Sequence, residues 1–154
     1  MKDLILATLV ALALSFVAPG AVLAGGEDVV VERSWARASV GTSRPSAAYL
    51  TLRNTGGEVA TVTDITASIA KLAEIHRTSV NDRGVSTMAP AGEIIIAAGE
   101  TVSLEPGGLH AMLMHLRTPM IKGESFLLTI SFADGDKITV EVPILKFGAR
   151  GPDG

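Results

Sequence analysis

Apolar and polar residues alternate with a period of two along most of the chain after residue 24. Phe126, Leu128, Ile130 and Phe132 fall on one side of such a run, with Ser125, Thr129 and Ser131 on the other. Ile138, Val140, Val142 and Ile144 alternate with Lys137, Thr139 and Glu141; Ala48, Leu50 and Leu52 alternate with Thr51 and Arg53; Val102 and Leu104 sit among Thr101, Ser103 and Glu105. Successive side chains of a strand point to opposite faces, so this alternation predicts half-buried antiparallel strands. Turn-forming residues separate the runs: Asn54-Thr55-Gly56-Gly57, Asn81-Asp82-Arg83-Gly84, Ala98-Gly99, Pro106-Gly107-Gly108 and Asp134-Gly135-Asp136. Many short strands at this spacing predict an all-β sandwich or barrel. Only Ala67 to Ala73 reads as a short helix, and Gly41 to Pro45 reads as a loop.

The first residues follow a different pattern. Lys2 precedes an almost wholly apolar run from Leu4 to Val17, broken by Pro19-Gly20 and followed by Val22-Leu23-Ala24. That is the layout of a cleaved signal peptide over residues 1–24, and the run is shorter than the roughly 20 residues of a membrane span. The expected mature domain is residues 25–147, with a flexible Gly-rich tail over 148–154 and no stable membrane insertion after cleavage. The chain has no cysteine and a net charge of −3. The first excludes disulfides and thiolate chemistry; the second, with no basic stripe, argues against nucleic acid as a partner.

The chemistry concentrates in one interval. All three histidines lie between residues 76 and 115, and Met88, Met112, Met114 and Met120 lie in nearly the same stretch. His110, Met112 and Met114 are two apart and share one strand face, opposite the apolar Leu109, Ala111 and Leu113; His115 falls with the core face or at the strand's end. His76 and Met88 flank the Asn81–Gly84 turn of an expected hairpin. Pairing Val80 with Val85 puts them on opposite faces; a bulge at Gly84 would place them opposite each other on one face. His76, Met88, His110 and Met112 together make a soft, neutral donor set. Thioethers suit Cu(I) and imidazoles tolerate it, whereas Zn(II) prefers Cys, His or carboxylate. Spacing alone leaves open the plainer reading that each Met fills core and each His is a satisfied surface residue.

These residues resemble the periplasmic PCu(A)C copper chaperone family, whose pattern is His, ten residues, Met, twenty-one residues, then His-any-Met. Met88 and His110 enclose twenty-one residues, and His110-Ala111-Met112 closes the motif. Ser34 to Ser39, Ala47 to Gly57, Glu105 to Leu116 and Val140 to Ile144 are also similar to the family. His76 and Met88 depart from it by enclosing eleven residues. His115 stands where the family often has Gly, making it a fifth candidate ligand. The tail lacks the His and Met that some members use for a second copper.

The resemblance implies a cupredoxin-like antiparallel β-sandwich of Greek-key type, a shallow Cu(I) site, and a periplasmic monomer. Its implied role is delivering copper toward the binuclear copper centre of cytochrome c oxidase. The implied partners are the copper-accepting oxidase subunit and a Sco-type thiol protein. A blue-copper electron carrier needs a cysteine ligand that is lacking. No G-x-S-x-G or H-E-x-x-H sequence supports an enzyme. The alternative is an exported, metal-free β-sandwich for adhesion or assembly.

Overall fold

The alternating runs fold as strands. A computed structural model describes residues 26–153; the expected signal peptide lies outside the described residues. After a short 3-10 turn at Gly26–Asp28 come ten strands: β1 Val29–Arg37, β2 Ser46–Asn54, β3 Ala60–Ala67, β4 Ala70–Val80, β5 Ser86–Pro90, β6 Ile94–Ile96, β7 Thr101–Leu104, β8 Leu109–Leu116, β9 Ser125–Phe132 and β10 Lys137–Leu145. Their order is β5-β4-β8-β7-β2-β1-β10-β9-β3-β6, and β8 also pairs directly with β2.

The two halves of this order face each other as a cupredoxin-like sandwich. β1 joins them through a brief parallel pairing with β10 at Ala36 and Arg37. A second parallel contact links Leu104 to Leu109, and the other pairings are antiparallel. Phe126, Leu128, Ile130 and Phe132 of β9 meet Leu50, Leu52, Ile75, Ala111 and Leu113 in one core. Burying such side chains contributes about 1.5–3 kcal/mol each.

The short helix expected over Ala67 to Ala73 is instead the end of β3, a turn at residues 68–69 and the start of β4. Ala67, Ala70 and Ala73 are all buried there. Tertiary packing of small side chains, where the chain crosses between sheets, overrides alanine's helix preference.

Asn54 holds the far end of the sandwich. It is 1% exposed; its amide donates to the carbonyls of Glu58 (2.7 Å) and Ile96 (3.0 Å) and accepts from the Gly56 N–H (2.9 Å). Asn54→Ala strands these buried groups and is expected to cost about 2–3 kcal/mol. A lower urea midpoint with an unchanged m-value measures it.

The stretch expected to fray carries a packed residue. Ala149 is 1% exposed against Trp35 and Tyr49, and its carbonyl accepts from Arg37 Nε at 2.8 Å. Trp35 and Tyr49 stack at 4.4 Å, so two aromatic rings give the Gly-rich segment a surface to lie on.

Candidate metal centre

Strand β8 runs between β4 and β2, and its outer face carries the candidate ligands. Its inward residues Leu109, Ala111 and Leu113 are buried in the core, as the alternation requires. On the outer face His110 lies directly opposite His76 of β4, and Met112 lies between Glu74 of β4 and Ala47 of β2.

The hairpin places Met88 differently from the sequence-based register. Val80 pairs with Ser86, Thr78 with Met88 and His76 with Pro90. Gly84 does take the left-handed conformation (φ 75°). The Asn81 side-chain oxygen accepts from the N–H groups of Arg83 and Val85, so the loop includes Val85. Met88 therefore shares a face with His76 but sits across from Thr78, diagonal to the histidine. Only the β4 side of β5 is paired, and Met88 is 59% exposed.

The two imidazole rings lie close together on the outer face. Metal–nitrogen bonds of about 2.0–2.1 Å put an ion about 3.2 Å from a ring centroid, so two rings on one ion have centroids roughly 5–6.5 Å apart. His76 and His110 have centroids 6.1 Å apart with planes inclined by 50°. His110 Nδ1–H donates to the Gly108 carbonyl at 3.2 Å, leaving the Nε2 lone pair for a ligand. His76 Nε2–H donates to the Glu74 carboxylate at 3.1 Å. That leaves His76 Nδ1 as a lone pair, buried and without a hydrogen-bond partner. Leaving such an atom unpaired costs about 1–3 kcal/mol. A metal held at that nitrogen would remove the cost, and the acceptors on the opposite nitrogens orient both rings.

The donor set fits a soft ion. No group of three or more His, Cys, Asp or Glu gathers among the described residues, and the side chains that could add soft donors to the two imidazoles are the thioethers of Met88 and Met112. Met88, His110 and Met112 line one open cavity of about 640 Å³ on the outer face; His76 lies beside His110, nine-tenths buried, rather than on the cavity wall.

The other candidates separate. His115 has φ 52° and is exposed. The backbone turns there, so Leu116 enters the core in its place. Met120 is 1% exposed within the core. Met114 shares the outer face opposite Leu72, two positions beyond Met112.

Sequence reasoning missed Glu74. Its place two residues before His76 on a strand was the available signal. It also missed the cavity wall formed by Arg44, Phe147 and Arg150, which come from loop and tail.

A cupredoxin-like sandwich with two imidazoles and two thioethers on one outer sheet face is the class that fold and site define. The profile of the LpqE-like family, described as "Putative lipoprotein LpqE-like", matches residues 29–144, and the chain belongs to that PCuAC-like family. A protein of Leifsonia xyli subsp. xyli, "Putative lipoprotein Lxx21020", is 37% identical over 122 residues, covering 79% of this chain and 72% of that protein. Among solved structures, Cu(I)-bound DR1885 from Deinococcus radiodurans superposes with a TM-score of 0.58 at 26% identity, over 78% of this chain and 81% of that one. The copper-bound PCuAC domain from PmoF2 superposes with a TM-score of 0.64 at 16% identity, over 77% and 93%. Among the described residues no helix is long and apolar enough to cross a membrane.

Proposed function

We propose that this protein is an exported Cu(I) carrier that takes and surrenders one copper at His76, Met88, His110 and Met112. The observation that carries the reading is the buried, unpartnered Nδ1 of His76, on a ring whose centroid lies 6.1 Å from that of His110, with Met88 and Met112 on the same sheet face. Copper is cargo here, and the residues do the work of holding it. The imidazoles provide fixed lone pairs, and the thioethers bind without losing a proton. Exposed Met88, on a strand paired on one side only, is the ligand best placed to let go first. An acceptor then replaces ligands one at a time. Copper-bound relatives of the same fold support this reading.

The compartment is the periplasm, reached through the signal peptide at residues 1–24. The chain has no cysteine, so these residues offer no thiol for a thioether-linked lipid. The recipient is the copper-accepting subunit of cytochrome c oxidase, with a Sco-type thiol protein acting alongside, and the carrier is a monomer that supplies all its ligands. No reaction is catalysed.

Anaerobic titration of the purified protein with Cu(I) against a chromogenic chelator tests the carrier role. One equivalent should be withheld from the chelator, and no competition would end the reading. Delivery is tested by mixing the Cu(I)-loaded protein with the copper-free soluble domain of the oxidase subunit. Appearance of the binuclear centre's absorption after one-electron oxidation with added ferricyanide is the expected result; copper that stays with the carrier argues for another recipient.

Glu74→Gln weakens the negative acceptor that fixes His76 while leaving all four ligands. Losing such an outer partner is expected to lower Cu(I) affinity about 10–100-fold. The same titration reads it, with Glu93→Gln as an exposed control.

A further inference from the structure

The cavity that holds Met88, His110 and Met112 has a second character. Arg37, Arg44 and Arg150 line it, and no Asp or Glu does. None of the three forms an ion pair among the described residues, whereas Arg53 is bound to Glu32 and Arg33 to Asp153. Three arginines lining one groove of a chain of net charge −3 are a local inversion of charge, not a by-product of a basic protein. Its rim is also apolar: Val40 is 63% exposed, Phe147 65% and Met88 59%. Arg, aromatic residues and Met around a partly desolvated centre are the composition of a protein-binding surface.

From the charge and the rim together we infer that this groove is the docking surface for an acidic segment of the protein that exchanges copper with this chain. The inference rests on the carrier reading. Carboxylates of the partner pair with Arg37, Arg44 and Arg150, whose planar forks match a carboxylate with two hydrogen bonds. Apolar side chains of the partner cover Val40 and Phe147. Docked there, the partner sets its own copper ligands against the open side of His110 and Met112. Arg37 is held in place for this, donating to the Ala149 carbonyl and lying 5.5 Å over the Tyr49 ring. Tail packing on Trp35 and Tyr49 thus carries Arg150 to the groove. Burial pushes the Tyr49 phenol up from its ordinary pKa, and the Arg37 charge offsets part of that rise.

The test uses copper-free protein and a fluorescein-labelled hexaglutamate peptide, read by fluorescence anisotropy at low ionic strength. The peptide should bind, and Arg44→Gln/Arg150→Gln should weaken it about tenfold or more, while the charge-matched Lys122→Gln/Lys137→Gln changes it less than about twofold. Both pairs are exposed side chains, so folding is preserved, and added salt should weaken binding. Absence of binding, or equal loss in the two variants, overturns the inference. So does free citrate that binds as tightly as the peptide, because that marks a small-anion site. Copper is absent throughout, so failure here leaves the carrier reading standing. A failed copper titration would remove the reason for docking without altering the peptide result.

Discussion

His110→Ala is expected to lower Cu(I) affinity by about 100-fold or more, beyond the 10–100-fold typical for loss of a mere outer partner. His110 faces His76 across the β4–β8 ladder, stands two positions from Met112 and shares the cavity with Met88. Its removal leaves one imidazole and two thioethers. The remaining imidazole cannot hold a soft ion with two thioethers as firmly, because the tautomer-fixed Nε2 is gone. The fold should survive, since the inward residues of β8 are untouched. Thermal melting provides an independent readout. A ligand that binds only the folded state raises the melting temperature in proportion to RT ln(1 + [L]/Kd). Cu(I) should therefore raise the wild-type midpoint by more than it raises that of His110→Ala. His115→Ala is the comparison, because that ring points to solvent at a turned backbone position. A loss of affinity at His115 equal to that at His110 would place the metal elsewhere on β8.

Leu128→Ala is expected to destabilise the protein by about 3–5 kcal/mol, the range for a buried leucine whose neighbours cannot collapse. Leu128 is 0% exposed. It is paired between Val140 of β10 and Ala67 of β3, and it borders a small apolar void with Leu50, Ile75 and Ala111 of the opposite sheet. Two hydrogen-bonded ladders hold its backbone, so the cavity stays open. Ala111 borders the same void and lies on the inward side of β8, between His110 and Met112, so this part of the core supports the ligand strand directly. Leu127→Ala on the same strand removes a side chain that is 52% exposed and should change stability by no more than about 0.5 kcal/mol. Urea denaturation of the two variants checks the contrast; equal losses would mean that the core assignment of β9 is wrong.

Much of this was legible in the sequence because a strand's two-residue period reports burial directly. Phe126 to Phe132 and Ala48 to Leu52 face the core as their alternation requires. The pairing of His110 with Met112 on one outer face follows from the same period. Other features rest on non-local contacts that no local pattern encodes. The hairpin register depended on whether Val85 belongs to the strand or to the loop, which hydrogen bonds to the Asn81 side chain decide. The turn at His115 has no glycine to announce it. Ala67 to Ala73 has helix-forming composition, and only the facing sheet makes it strand and turn. The Gly-rich tail looks unstructured until Trp35 and Tyr49 are stacked beneath it. Three arginines far apart in the chain become a cluster only when a β1 end, a loop and the tail meet.

X-ray absorption of the Cu(I)-loaded protein shows most directly whether two imidazoles and two thioethers hold one copper. The expected spectrum has nitrogen scatterers near about 2.0 Å with the outer-shell pattern of imidazole, together with sulfur near about 2.3 Å. Replacing Met112 with alanine should reduce the sulfur contribution and leave the imidazole pattern. A first shell of nitrogen and oxygen alone, unchanged by that replacement, would contradict the claim.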